Sequence, residues 1–552
     1  MSFKNDRFDH LTPRQRAIEA FYTYGSCRAA ARALGMAKST IAEHLKKAGI
    51  DPTEEGQKIE KIDGKPLVQG SIAFDEPEKR SLPPKGQVYR YILTSAQNNT
   101  TVHHEFIRNL EAYAKFLEAE IHVARFQYNI QAYRKWQGSE KPDAIDNNAT
   151  DDVTWFDPNI RDYISDDPIE LAPGLIWCGE QQILPTVRNP ASGFQDYRGC
   201  NSLILPSTKI ALTSIPTGKF DPTKFLYTTG CITQRNYTKT KTGYNGSWNH
   251  VYGAVIVEVD SDGDWFVRQI SARDEDGSFQ DLNYKVRNNK VETAGEIDVL
   301  TPGDIHVDQL EDKYRLSLAE MVDTLRPNEL HLHDCLDFNS RSHHDAKDHH
   351  KNFEKFINGC DNVEDELRDV AEFFQEMHRD WMQMVVIHSN HDDHLRRWLK
   401  DKPDAYAYDP PNALIFLTLQ KRIYEAKFKK EANFHLFEYA MELMGIPEGM
   451  RFLRTDENYL VHGIECGLHG DNGPNGSRGS ISNLAKSGNK VNIGHSHSAG
   501  IMHGAYQSGV MANLDMDYNT GPSSWSRSLI VTYENGKRAI ITMRDTKWRA
   551  KP

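Results

Sequence analysis

Five apolar runs in the second half of the chain each end in aspartate, asparagine or histidine. "GEIDVL" leads into Asp304 and His306, and "NELHLHDCLDF" supplies Asp334. "MQMVVIHSNHDD" supplies Asn390 and His391, "VHGIECGLHGD" supplies His469, and "KVNIGHSHSAG" supplies His495 and His497. Each run has the length and composition of a buried strand. One Asp-x-His pair at a strand end is compatible with an ordinary polar turn. Five such ends are not, because open α/β sheets bind their ligands beyond the carboxyl ends of the strands. The pattern predicts an α/β fold that gathers these side chains at one site.

Their chemistry narrows the purpose of the site. Carboxylate and amide oxygens combined with imidazole suit divalent ions such as Mn²⁺, Fe or Zn²⁺. Hydrolysis of a phosphate ester needs neutralised phosphoryl oxygens, an activated water and a stabilised leaving oxygen, and two ions about 3.5–4 Å apart supply all three. The seven cysteines are scattered, odd in number and free of Cys-x-x-Cys pairs, which excludes a zinc knuckle and a disulfide framework and predicts reduced thiols in a cytoplasm. The apolar runs "GAVIVEV" and "NALIFLTL" fall short of the roughly 20 residues of a membrane helix. "MSFKNDRFDHLTPRQR" lacks the apolar core of a secretory signal, so a cytoplasmic protein without a membrane partner is expected.

The order Asp-x-His, Asp, Asn-His-Asp, His and Gly-His-x-His resembles the calcineurin-like metallophosphoesterases over roughly residues 294–545. The resemblance implies an αββα sandwich and two divalent ions, Mn²⁺ before Fe, Zn²⁺ or Mg²⁺. It assigns Asp304, His306, Asp334 and His497 to one ion and Asn390, His469 and His495 to the other, with Asp334 bridging. It makes His391 the group that stabilises the transition state or protonates the leaving oxygen, with Asp392 placed to orient its imidazole. Three departures stand out. His333-Asp334 replaces the usual Gly-Asp, and Ser389-Asn390-His391 replaces Gly-Asn-His. Asp334-Cys-Leu-Asp337 continues into Phe338-Asn339 rather than the Arg-Gly of Ser/Thr phosphatases, which points to the nuclease-type branch. A helical insertion over 393–447 lies outside the shared pattern.

The rest of the chain reads as separate modules. Residues 1–50 carry nine Lys/Arg and four Asp/Glu, a net of +5 in a chain of net charge −12. Thr12-Pro13 opens one helix, and "SCRAAARALGMAKSTIAEHLKKAG" gives two short helices around a glycine turn, a helix-turn-helix pattern. Lys38, Ser39 and Thr40 then begin the helix that would enter a DNA groove, while Arg28, Arg32, Lys46 and Lys47 would meet phosphates. The alternative is a small bundle for protein contacts. Residues 51–86 read as a linker, 87–293 as a middle α/β domain opened by a β-α-β unit, and 294–552 as the catalytic domain. "TQRNYTKTKTGYNGSWNH" is either a solvated loop or a stacking surface for nucleic acid. "SRSHHDAKDHHKN" reads as a solvated or substrate-facing stretch opening a long helix, and Arg478 sits in a candidate substrate loop where it would pair with a phosphate.

A helix-turn-helix joined to an α/β region and a divergent metallophosphoesterase is similar in layout to the T5-type pre-early DNase group of tailed bacteriophages. The expectation is a metal-dependent nuclease that hydrolyses DNA phosphodiesters by a two-metal mechanism. The resemblance further implies a phage-encoded homo-oligomer acting on host DNA. The alternative is a phosphoesterase of protein or small-molecule phosphates.

Overall fold

The structure, a computed structural model, describes residues 12–24, 27–34, 36–50, 75–128, 155–516 and 519–551. The chain divides into two compact units, 1–76 and 77–552. In the first, helices Pro13–Tyr24, Cys27–Leu34 and Lys38–Lys47 close on a core of Ala17, Phe21, Ala30, Ile41 and Leu45. The small Ala residues let the helices approach closely. Of the linker expected over 51–86, residues 51–74 lie outside the described residues. Glu78–Lys79 already pairs as a strand with Ile169–Glu170.

The second unit is mixed α/β, with four sheets among the described residues. A six-stranded sheet carries Arg451–Phe452, Gln383–Val386, Glu329–Leu332 and Val299–Thr301 in parallel, then Ser528–Thr532 and Arg538–Thr542 as an antiparallel edge. Helices Asp312–Leu325 and Val363–Met377 return the chain between parallel strands, as such connections require. Strand alternation sets the layers. Leu330, Leu332, Leu529 and Val531 pack with Leu318, Met321, Leu367 and Phe374 of the helices, whereas Ile530 and Ile540 face the other sheets and meet Val257, Trp265 and Tyr227.

A four-stranded sheet holds the expected β-α-β unit: Tyr89–Gln97 and Glu120–Phe126 pair in parallel across helix His104–Leu117. Its other strands, Gly253–Val259 and Trp265–Ser271, are antiparallel. The largest sheet has eleven strands and bridges the division read at 293/294, since Leu212–Thr213 pairs with Gly500–Ile501. The strands leading to His469 and His495 therefore belong to a sheet shared with residues 78–228.

Two local readings change. Residues Lys241–Trp248 are helical: Thr240 caps the start by accepting from the Gly243 amide, and buried Gly243 and Gly246 leave no room for a side chain against Thr238 and Tyr237. The long helix expected after "SRSHHDAKDHHKN" is two, His349–Ile357 and Val363–Met377. Gly359 turns left-handed between them and Asn362 caps the second. No helix among the described residues is long and apolar enough to cross a membrane. All seven cysteines are free.

Candidate metal centre

The five strand ends do converge. Beyond Val299–Thr301, Asp304 bridges to His333 on one side and Val510 on the other, and it is fully buried. His306 Nε2 lies 3.1 Å from His497 Nε2, and His497 Nε2 lies 3.1 Å from Asp304 Oδ2. A second group forms beside it: His469 Nε2 is 3.1 Å from Asp334 Oδ2 and 3.0 Å from Asn390 Oδ1, and His495 Nδ1 is 3.1 Å from the same amide oxygen. Donor atoms about 3 Å apart are spaced as ligands held 2.0–2.2 Å from a shared ion would be.

The proton positions support this. His306 Nδ1 lies 3.0 Å from Asp337 Oδ1, so its N–H is directed at the carboxylate and the Nε2 lone pair is left facing His497. His469 Nδ1 lies 3.3 Å from His333 Nδ1, and its Nε2 faces Asp334 and Asn390. Burial opposes a charge on His469, but Asp334 outweighs it and raises the imidazole to about 9, so its Nε2 proton is the one that a bound ion would replace. Burial, reinforced by His469, lowers His333 to about 3 and keeps it neutral. His497 Nδ1 is buried without a hydrogen-bond partner, and Asp304 Oδ2 has His497 Nε2 beside it. Burial alone would raise the Asp304 carboxyl, but His497 and His469 hold it at about 2. Nitrogen and oxygen atoms converging in a buried site are costly unless protons or a cation satisfy them.

The backbone is bent to make the cluster. His306, Asp334, His495 and His497 all have positive φ, between 41° and 72°, where residues other than glycine are uncommon. Such strain gathers at functional sites. Gly494, ahead of His495, admits no side chain, because a Cβ there would sit 2.3 Å from Asp304 Oδ1.

Two residues in this region act differently from expectation. Asp392 does not orient the His391 imidazole. Its Oδ1 accepts from the Leu336 amide and its Oδ2 from Ser389 Oγ, at 2.9 and 2.7 Å, so it ties the Asp334 loop to the Asn390 loop. Asp337 is the residue that reaches His391, with Oδ1 3.1 Å from Nδ1. Burial opposes the charge on His391, but Asp334 and Asp337 outweigh it and raise the imidazole to about 10. Asp337 stands in the sequence three residues after Asp334, which was the available signal. The two departures at the glycine positions also find roles: His333 fixes the His469 ring, and Ser389 Oγ accepts from the Asp334 amide at 3.2 Å.

The remaining candidates lie elsewhere. Arg478 is exposed on the loop after His469 and forms no hydrogen bond or ion pair with the donor cluster. In the N-terminal unit Lys38, Ser39, Lys46 and Lys47 are exposed and Thr40 is half-buried. Lys47 pairs with Glu43 at 2.6 Å. Arg28 and Arg32 lie on the second helix, and their side chains are outside the described residues. His343 does touch the site's periphery, its ring 4.7 Å from that of His394, which is 4.6 Å from His391. Another acidic trio, Asp260, Asp262 and Asp264, is already filled by the Lys547 ammonium at 2.8–2.9 Å.

Compared with known proteins, the chain is 36% identical over 473 residues to protein A1 of Escherichia phage T5, covering 84% of this chain and 83% of that protein. It belongs to the protein A1 family. No family model and no solved structure matches the chain. The match to a phage protein agrees with the phage setting that the layout suggested.

Proposed function

We propose that the chain is a metal-dependent phosphodiesterase that hydrolyses DNA, built on a metallophosphoesterase sandwich. One observation carries the reading: two groups of converging oxygen and nitrogen donors lie side by side at the ends of parallel strands, with the His391 imidazole, held by Asp337, next to them. Asp304, His306 and His497 would hold one divalent ion, and Asn390, His469 and His495 the other, with Asp334 shared between them. The ions, Mn²⁺ first by the resemblance, would neutralise the phosphoryl oxygens and lower the pKa of water.

The chain's own residues then complete the chemistry. His391, held by Asp337 with Nδ1 toward the carboxylate, presents Nε2 as the proton donor to the departing ester oxygen. The backbone amide of His391 donates to Asp334 Oδ1 at 3.0 Å, which fixes the imidazole relative to the shared carboxylate. Asp392 and Ser389 hold the two loops in register. The N-terminal unit would tether the DNA. The relative is a phage protein, and in a phage setting host DNA would be the substrate.

Bis(p-nitrophenyl) phosphate and p-nitrophenyl phosphate separate this from a phosphomonoesterase. The reading expects chelator-sensitive turnover of the diester in Mn²⁺ and little of the monoester. Turnover of the monoester alone, with DNA untouched, would replace it with a phosphoesterase of proteins or small molecules.

A further inference from the structure

The deepest basic feature of the second unit lies away from the donor cluster. A cavity of about 750 Å³ is lined by Arg188, Lys209, Arg235, Lys490 and Lys537, with Asp274 its only carboxylate. Asp274 is taken by Arg235 at 2.6 Å. Among the described residues, no carboxylate lies within ion-pair distance of Arg188, Lys209, Lys490 or Lys537. Four unbalanced cations in one concavity are unusual in a chain of net charge −12. A pocket of this kind concentrates field lines and favours anions. Burial lowers Lys209 to about 8, and it lowers Lys537 as well, so both gain from a bound anion.

The rim of the same cavity is aromatic. Helix Lys241–Trp248 contributes Trp248, 87% exposed, to the wall, while Tyr244, 65% exposed and four residues earlier, lies outside the lining. Side chains four apart share one helix face, so Tyr244 extends the exposed aromatic surface from Trp248 away from the cavity. Lys239 and Lys241 are exposed in the same segment. The glycines that turn this stretch into a packed helix hold this surface in place: Gly243 lies against the Thr238 carbonyl and Gly246 against the Tyr237 ring. Phosphate-binding cations next to solvent-facing rings are the two components by which proteins hold unpaired nucleic acid, because every base can stack on an aromatic ring. Duplex DNA has no free base face to offer. An anionic membrane surface would not need a concave pocket.

The position also suits a substrate path. Lys490 opens the strand Lys490–Ile493, whose far end delivers Gly494 and His495. At about 3.3 Å per residue, the pocket's edge lies about 16 Å from His495.

We propose that this pocket and the Tyr244–Trp248 face bind single-stranded nucleic acid, the cations holding its phosphates and the rings its bases, with the strand leading toward the donor cluster. The purpose of the site rests on the nuclease reading; the binding itself does not.

The test uses the full chain with its metals chelated, so that binding is read without chemistry. Fluorescence anisotropy of a short labelled oligothymidylate is followed for the wild type, a Lys490→Glu/Lys537→Glu variant and Trp248→Ala. The charge reversal should weaken binding at least tenfold and flatten its salt dependence by about 0.7 in log–log slope for each phosphate no longer neutralised. Trp248→Ala should weaken binding by about tenfold with the salt slope unchanged. Unchanged binding in both variants overturns the proposal, and so does binding to phosphatidylserine vesicles without binding to oligothymidylate. Circular dichroism confirms that the variants fold. If the wild type binds in this way but never cleaves a diester, the nuclease reading fails and the binding site stands.

Discussion

Two buried charged clusters in the second unit can be set side by side. In one, Arg268 meets Asp281 at 2.6 and 2.8 Å and Glu258 at 3.1 Å, and Tyr113 donates to Asp281 at 2.8 Å. Arg90, 3.5 Å from Glu258, supplies the second cation, so both carboxylates are matched. In the other, His306 Nε2 and Asp304 Oδ2 each lie 3.1 Å from His497 Nε2, and His497 Nδ1 is left without a hydrogen-bond partner. Both are buried and both are rich in ionisable groups. The difference teaches that burial and charge alone do not mark a functional site; what marks it is unsatisfied donors that agree in direction. The first cluster closes on itself and staples the four-stranded sheet to Phe279–Asp281. The second could hold a cation.

The contrast can be broken in four ways, from the largest expected effect to the smallest. His391→Ala should lower diester turnover by about 10²–10⁴-fold, the range for a lost general acid, while metal content stays at the wild-type level. Elemental analysis beside steady-state kinetics reads both, and a parallel fall in bound metal would make His391 a ligand. Arg268→Met should do the reverse: it strands Asp281 in the interior, leaves Glu258 only Arg90, and costs about 3–5 kcal/mol in denaturant unfolding, with or without metal. A smaller effect separates the clusters thermodynamically. Mn²⁺ at a hundredfold excess over its dissociation constant should stabilise the wild type by about 2.7 kcal/mol and leave Asp334→Asn nearly unmoved. Calorimetry with and without chelator decides it, and equal stabilisation of both proteins would detach Asp334 from the ions. The smallest effect concerns the N-terminal unit. Lys46→Glu should reduce the log–log salt slope of duplex binding by about 0.9, the share of one neutralised phosphate, and an unchanged slope would leave that helix to protein contacts.

What the sequence showed and what it hid follow from the same physics. The clustered Asp, Asn and His residues were legible because each follows a run of β-forming residues and because such side chains are costly to bury without a purpose. The helices around Gly35 and the β-α-β unit at 89–126 were legible from local periodicity. The orienting partner of His391 was not. Asp392 is its neighbour in the chain, but consecutive side chains at this turn point apart, and Asp337 arrives from another strand end. The pairing of Leu212–Thr213 with Gly500–Ile501 was equally invisible, since no local pattern reports contacts across nearly 300 residues. The pairing of His333 with His469 shows why a substituted glycine need not destroy a site: the new imidazole occupies space beside a ligand and fixes its tautomer.

The central claim is that the donor cluster hydrolyses DNA through divalent ions. Incubating supercoiled plasmid and linear DNA with the full chain and Mn²⁺, with and without chelator, and repeating with Asp334→Asn, tests it most directly. The account predicts cleavage by the wild type in Mn²⁺, none with chelator and none by the variant. DNA left intact by metal-loaded wild type, or cut equally well by Asp334→Asn or in chelator, would contradict it.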